Sequence, residues 1–187
     1  MLSNFMGHLR TILHHKRLVF IHCCKCGIVW QGLVHDMSKF SPTEFFQGVK
    51  YFQGNRSPNA KERELFGYSK AWMHHKGRNK HHFEYWTDYN IKARNVMPVE
   101  MPVKYVVEML CDRMAASKTY LKKDYTQKSS LDYYMNSTAR RHNLMHPETD
   151  KLLHELLLML YEKGEDETFK YAKKLVKESK YKNSLMN

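Results

Sequence analysis

Ser41-Pro42-Thr43-Glu44 is the clearest signal of local structure in the sequence, and it predicts the start of a helix. Serine caps a helix N-terminus well, proline suits the first helical position, and glutamate at the third position completes a capping box. We expect this helix to run to about Phe52. The residues that follow, Gly54-Asn55-Arg56-Ser57-Pro58-Asn59, are typical of a loop.

On both sides of this start signal, apolar residues recur every three to four positions, and no stretch shows sustained period-two alternation. The further predicted helices cover a first segment around Phe5 to Phe20 that Gly27 ends, about 28–37, about 61–75, a long helix entered at Pro98 and Pro102, and Leu152 to Tyr161, ended by Gly164. The fold class that this pattern predicts is all-α. We expect one helical domain over residues 1–162 and a lysine-rich helix over 163–187, packed on it or trailing from it.

Composition narrows the class of protein. The chain has 187 residues, 42% of them apolar, which excludes a disordered chain and suffices for a single core. No apolar run reaches the roughly 20 residues of a membrane span, and the N-terminus lacks the features of a secretory signal. Four cysteines without a disulfide pattern favour a reducing cytoplasm. The net charge of +12 favours anionic partners: phosphates, nucleotides or nucleic acid.

Twelve histidines are the unusual feature of the composition. Doublets occur at 14–15, 74–75 and 81–82, and His35 stands beside Asp36. Imidazole is the commonest nitrogen ligand of transition metals, and a carboxylate can bridge two ions. The pattern therefore predicts a metal site formed where several helices meet. We expect His8, His142 and His154 to be isolated surface histidines.

His35-Asp36, with Lys39 three residues after the aspartate, resembles the doublet of the HD-domain metal-dependent phosphohydrolase superfamily, whose members are all-α. The superfamily pattern has an upstream His, the His-Asp pair, two further His in its dinuclear branches, and a distant Asp on a later helix. The matching residues follow in the same order: His15, His35-Asp36, His75, His81 and His82, and Asp112. The resemblance implies a single helical bundle of the HD-domain type.

This resemblance also implies a role for each residue. Asp36 would bridge two ions, with His15, His35 and Asp112 completing the shell of the first. His75 with one or both of His81 and His82 would hold the second. We prefer His15 to His14 because it lies beside the Ile12/Val19 face of its helix. The choice within the two later doublets stays open, and Asp112 could instead be a buried structural acid.

A substrate's negative charge would be stabilised by Lys39, Arg78 and Lys80, and Tyr85 and Trp86 could stack on a base or ring. Each of the last four also has a plainer interpretation. Arg78 could cap a helix end, Lys80 could be a solvated loop charge, and the two aromatic rings could simply pack.

Two segments, residues 32–45 and 74–86, are similar to an uncharacterised bacterial and phage family. The shared motifs are His-Asp-x-Ser-Lys-Phe-Ser-Pro-x-Glu-Phe and Arg-Asn-Lys-His-His-x-Glu-Tyr-Trp, and the similarity covers about residues 8 to 160. Members are sometimes labelled catalase, but the family implies no established activity, so function has to be inferred from the site.

The leading prediction is a metal-dependent hydrolase of a phosphorylated small molecule or nucleotide, with Asp36 and Lys39 as catalytic residues. The site would hold one or two divalent ions, with Mn, Fe, Zn, Ni and Co all compatible. One alternative is a dinuclear iron oxygenase of the same superfamily. The other is a non-enzymatic phage or bacterial protein that contacts nucleic acid through its charge, which is the less favoured partner. No membrane partner is expected.

Overall fold

Helices make up most of the protein. The computed structural model describes the backbone of residues 1–185 and the side chains of residues 1–138, 140 and 142–181. The helices are α1 (Leu2–Lys25), α2 (Val29–Val34), α3 (Pro42–Lys50), α4 (Pro58–Phe66), α5 (Lys70–Lys76), α6 (Val103–Leu121), α7 (Ser129–Met135), α8 (Thr138–Arg141) and α9 (Pro147–Leu185). Single 3-10 turns cover Met37–Phe40, Phe83–Tyr85 and Lys122–Asp124, and the strands are β1 (Thr87–Asn90) and β2 (Asn95–Pro98).

The core forms where α6 packs against both α1 and α9. Val19 of α1, Leu110 and Met114 of α6, and Leu156 and Leu160 of α9 are all completely buried there. Burying one such leucine contributes on the order of 1.5–3 kcal/mol. This packing fixes α6, and with it the position of Asp112 between Leu110 and Met114.

The predicted helix start at Ser41 is confirmed, with a difference in its side chains. Ser41 Oγ accepts from the Glu44 backbone N–H at 3.4 Å, and Pro42 occupies the first helical position. The Glu44 carboxylate accepts instead from His74 and His75. Only one half of the capping box therefore forms, because the glutamate is used in the interior.

The expectation of one helix over about 61–75 is wrong, since two helices cover this region. Gly67 has a φ of +76° and ends α4, its N–H donating to the Arg63 carbonyl at 2.8 Å. Ser69 then caps α5 by accepting from the Trp72 N–H at 3.0 Å. Their spacing in the sequence places Leu65, Tyr68 and Trp72 on one side of a single helix, but because the chain turns between the two helices, Tyr68 is exposed.

The chain is mostly helical rather than all-α as predicted, because it also contains a short two-stranded hairpin. β1 and β2 pair antiparallel, with Thr87 opposite Pro98 and Asn90 opposite Asn95. Nearly every strand residue is exposed, so neither face carries the apolar alternation that identifies a strand in a sequence.

The helix expected over about 28–37 is also shorter than predicted. It ends at Val34, and the chain bends at His35 and Asp36 before the 3-10 turn at Met37–Phe40. Asp36 has a φ of +54°, a left-handed conformation that aspartate tolerates better than most residues. The His-Asp doublet therefore lies at a sharp change of chain direction.

A kink at Gly164 divides α9 into two parts. Its φ of 82° and ψ of 177° are non-helical, so the expected helix end falls at a kink from which the helix continues. After the kink, Phe169, Ala172 and Val176 are buried in the same core as α1 and α6. Residues 186–187 of the predicted C-terminal segment lie outside the described residues. No helix within the described part of the chain has the length and apolar character that crossing a bilayer requires.

Candidate metal centre

Four separate segments bring their polar side chains to one interior position. The residues come from α1 (His15), from the bend after α2 (His35 and Asp36), from the end of α5 and the turn after it (His75, His81 and His82), and from α6 (Asp112). His35 and Asp36 are both 1% exposed. The seven residues that the sequence singled out as candidate ligands therefore lie together, whereas His14 is exposed.

Asp36 lies at the centre, with each carboxylate oxygen facing a different group of imidazoles. Its Oδ2 lies 3.3 Å from His35 Nε2 and 3.8 Å from His15 Nε2. Its Oδ1 lies 3.2 Å from His75 Nε2 and 3.4 Å from His81 Nε2. This is the arrangement that a bridging carboxylate requires.

Two groups of potential ligands share Asp36, and in each the ligand atoms lie within 4.8 Å of one another. Site 1 consists of His15, His35, Asp36 and Asp112, with His15 Nε2 3.0 Å and His35 Nε2 3.5 Å from Asp112 Oδ1. Site 2 consists of Asp36, His75, His81 and His82. Both members of the doublet at 81–82 belong to site 2, and only the second member belongs to a site in the doublets at 14–15 and 74–75.

The atoms that face the centre are buried without hydrogen-bond partners. They are Nε2 of His15, His35, His81 and His82, together with Oδ1 and Oδ2 of Asp36. Of these six atoms, Asp36 Oδ2 has an ion-pair partner in Lys39 Nζ. An unsatisfied buried polar group costs about 1–3 kcal/mol, so the other five need a common partner. A divalent cation accepts lone pairs from imidazole and carboxylate alike, and the donor set of each site fits one.

Two glutamates hold the opposite sides of the imidazole rings. Glu108 Oε1 lies 2.9 Å from His35 Nδ1 and 3.2 Å from His81 Nδ1, and Glu44 Oε2 lies 2.7 Å from His75 Nδ1. An ionised carboxylate can only accept a hydrogen bond, so the proton of each ring is on Nδ1. Nε2 is then left with its lone pair directed to the centre, as in a metal-ligating histidine.

Electrostatics in the centre is dominated by close opposite charges. Burial opposes the charged forms of His35 and Asp36, yet neighbouring charges prevail: the pKa of His35 is raised well above its usual value and that of Asp36 is well below. A bound ion would therefore have to displace a proton from His35 Nε2 before this atom offers its lone pair. Lys39 Nζ lies 2.6 Å from Asp36 Oδ2, and this contact raises the pKa of Lys39 despite burial. Burial, with His81 and His75 nearby, lowers the pKa of His82, so its ring is neutral.

Of the five predicted substrate residues, Lys39 alone contacts Asp36 within residues 1–185. Arg78 donates to the His74 carbonyl at 3.2 Å, at the end of α5. Lys80 Nζ lies 5.7 Å from the centre of the Tyr85 ring, and Trp86 Nε1 donates to the Lys80 carbonyl at 2.7 Å. These contacts agree with the plainer alternatives of capping and packing, and a role in substrate binding stays a prediction.

Sequence reasoning missed Glu44 and Glu108, whose carboxylates contact the site histidines. Glu108 precedes Asp112 by four residues, which places both on one face of α6, and this spacing was a usable signal. Glu44 was hidden because the same position completes a capping box.

Two histidines outside the centre are buried. His8 was expected on the surface, but its ring lies between Phe45 and Phe52, with ring centres 5.5 Å and 6.0 Å away. His22 Nδ1 donates to the Cys111 carbonyl at 3.3 Å and its Nε2 accepts from Lys118 Nζ at 3.3 Å. Mainly because of burial, the pKa of each is lowered to about 4. His142 is exposed, as expected, and His154 is half-buried beside Tyr134.

Comparison with known proteins bears on the family of the chain. Neither the curated proteins nor the solved structures include a match to it. One family model matches residues 4–159, a range that includes every residue of both sites. The chain therefore belongs to the DUF5662 family, a family of unknown function.

Proposed function

We propose that the protein is a metal-dependent hydrolase that releases phosphate from a small phosphorylated molecule or a nucleotide. The observation that carries the proposal is the convergence of buried donor atoms that make no hydrogen bond: Nε2 of four histidines and both carboxylate oxygens of Asp36. Imidazole and carboxylate donors suit Mn, Fe, Zn, Ni or Co, and the shared Asp36 suits two ions.

We also propose that the chain is a divergent relative of the HD-domain superfamily. The order His15, His35-Asp36, His75, His81, Asp112 supports this, as does the placement of the first and last of these residues on the long helices α1 and α6. The lysine after the doublet, Lys39, is in contact with Asp36, which further supports the likeness.

In the proposed reaction, water attacks phosphorus, the phosphorus–oxygen ester bond breaks, and the leaving oxygen takes up a proton to become an alcohol. Divalent ions, when bound, supply charge stabilisation at the phosphoryl oxygens and lower the pKa of water. Asp36 holds the arrangement by presenting one oxygen to each site. Lys39 keeps its proton, because Asp36 raises its pKa, so it stabilises phosphoryl charge and does not act as a base.

A basic surface pocket, which no residue of sites 1 and 2 lines, is consistent with an anionic substrate. It has a volume of about 400 Å³ and lies along α1 and α6, the helices that carry His15 and Asp112. Arg10, His14, Lys118 and Lys122 line it, and no carboxylate does within the described residues. Lys118 is paired with Glu165 at 2.7 Å, so among the side chains that the structure describes the unpaired charges come from Arg10 and Lys122.

The test is metal content and phosphatase activity of protein purified without oxygen. We expect one to two transition-metal ions per chain and metal-dependent release of phosphate from p-nitrophenyl phosphate or nucleoside monophosphates. Asp36→Asn should lose both the metal and the activity, because asparagine tolerates the left-handed backbone but lacks the charge. Asp88→Asn, at an exposed strand position, is the matched control and should keep both.

Two results would contradict this function. Wild-type protein without any transition metal would remove the metal centre. Iron-loaded protein that consumes oxygen and releases no phosphate would instead support the oxygenase.

A further inference from the structure

We infer that Glu108 is a positioning residue that couples the two ions, so that binding at one site strengthens binding at the other. This inference rests on the proposed metal centre. It concerns a residue that binds neither ion and acts through His35 and His81.

The inference comes from one oxygen atom that serves both sites. Glu108 is 4% exposed, and its Oε1 lies 2.9 Å from Nδ1 of His35, a site 1 residue, and 3.2 Å from Nδ1 of His81, a site 2 residue. The two imidazole rings lie with their centres 4.3 Å apart. A single buried carboxylate therefore orients one imidazole of each site.

Glu108 could be taken for a ligand, since it forms a third metal-compatible group with His35 and His81. It meets both rings at Nδ1, however, while Nε2 of both rings faces Asp36. A ring that donates from Nδ1 to Glu108 offers its remaining lone pair at Nε2. The geometry thus makes Glu108 the outer partner of both imidazoles.

Coupling follows from this shared contact. An ion at site 1 fixes the ring of His35, which fixes Glu108 Oε1 and thereby aligns His81 for site 2. Asp36, which both sites share on the Nε2 side of the rings, also couples the two ions so that each strengthens the binding of the other. The ordering required for the second ion is then partly complete when the first has bound, and coupling of this kind changes affinity by roughly 5–150-fold.

Glu44 provides a matched comparison, because it is also buried and also accepts from an imidazole Nδ1. Its partners are His75 of site 2, at 2.7 Å, and His74, at 2.6 Å, which belongs to neither site. Loss of an outer carboxylate costs about 10–100-fold in metal affinity. Replacing Glu44 should therefore affect one ion directly, and replacing Glu108 should affect two.

The experiment is a calorimetric titration of metal-stripped protein with Mn²⁺, repeated with Co²⁺ and followed by visible absorption. Wild type should bind two ions. Glu108→Gln should weaken both by about 10–100-fold each and alter the Co²⁺ absorption of both. Glu44→Gln should weaken one ion directly and alter one Co²⁺ spectrum. Glu108→Asp keeps the charge but is one methylene too short to reach both rings, so it should weaken both ions as Glu108→Gln does. If Glu108→Gln fails to fold, the metal affinities of Glu108→Asp test the coupling instead.

The possible results distinguish failure of the coupling by Glu108 from failure of the proposed metal-dependent function. Wild type that binds no metal would overturn both. Wild type that binds a single ion would overturn the coupling and leave a mononuclear hydrolase. Wild type that binds two ions, with a Glu108→Gln variant that loses affinity for one or neither, would overturn the inference alone. A purely structural role for Glu108 would lower stability and leave the two metal affinities unchanged.

Discussion

His14 and His15 are sequence neighbours with different surroundings. His15 Nε2 lies 3.0 Å from Asp112 Oδ1 in the interior, whereas His14 is exposed and lines the basic pocket. The choice between them was possible from sequence because helical periodicity places Ile12 and Val19 on the side of His15. No such rule applied to His81 and His82, which follow the end of α5 in an irregular turn.

These neighbours give a prediction at the residue scale. His15→Ala should lower the bound metal by about one ion per chain, because it removes one of the four potential ligands of site 1 and leaves all four potential ligands of site 2 in place. His14→Ala should keep the wild-type metal content. Elemental analysis of the two purified variants measures this difference. Equal metal loss in both, or loss in neither, would contradict the assignment of His15.

Short elements were the least predictable part of the fold. The start of α3 could be read from Ser41 and Pro42, and the start of α6 from Pro102, because these residues act through their nearest neighbours in the chain. The hairpin could not, since its strands are exposed on both faces. The break at Gly67 was overlooked because Leu65, Tyr68 and Trp72 keep a helical spacing across it.

Gly164 gives a prediction at the element scale. Its φ of 82° and ψ of 177° lie in a region open essentially to glycine alone. A Cβ atom there would also come within 3.3 Å of Gln127 Nε2. Gly164→Ala should therefore lower the free energy of unfolding by about 1–3 kcal/mol, as measured by chemical denaturation.

Gly77→Ala is the control for this substitution. Gly77 has a φ of −76°, and the nearest atom to an added Cβ is the Met73 carbonyl oxygen at 3.5 Å. Gly77→Ala should raise the free energy of unfolding by no more than about 0.5–1 kcal/mol. Equal losses at the two positions would show that the kink in α9 does not depend on glycine.

At the scale of the whole molecule, the order of the candidate ligands could be taken from the sequence but their outer partners could not. His15, His35, Asp36 and Asp112 occur in the order that the resemblance to the HD-domain superfamily implies. The contact between Glu44 and His75 joins α3 to α5, and that between Glu108 and His35 joins α6 to the bend after α2. Such contacts depend on how distant segments pack, which local spacing does not encode.

The stability of the whole protein should depend on pH through His22. Its pKa is about 4 in the folded protein, against a usual value of about 6.5, so the unfolded chain binds the proton more readily. The stabilisation is complete above pH 6.5 and is lost as the pH falls toward 4. Between pH 7 and pH 5, wild type should lose about 1–2 kcal/mol more than His22→Gln in the free energy of unfolding.

The exposed His142 is the control position for this measurement. His142→Gln should keep the full pH dependence of wild type, and metal-stripped protein should be used so that release of ions does not add to the effect. Identical pH profiles for wild type and His22→Gln would contradict the assignment of this dependence to His22.

The spread of the site along the chain has a consequence for how the protein is made. His15 leaves the ribosome well before its partner Asp112, which emerges only after α2 to α5 and the hairpin have been synthesised. The nascent chain cannot present the full donor set of site 1 until α6 is outside the exit tunnel. Loading of the proposed site 1 would then be a late event in biogenesis, and translation products that stop before α6 lack both Glu108 and Asp112.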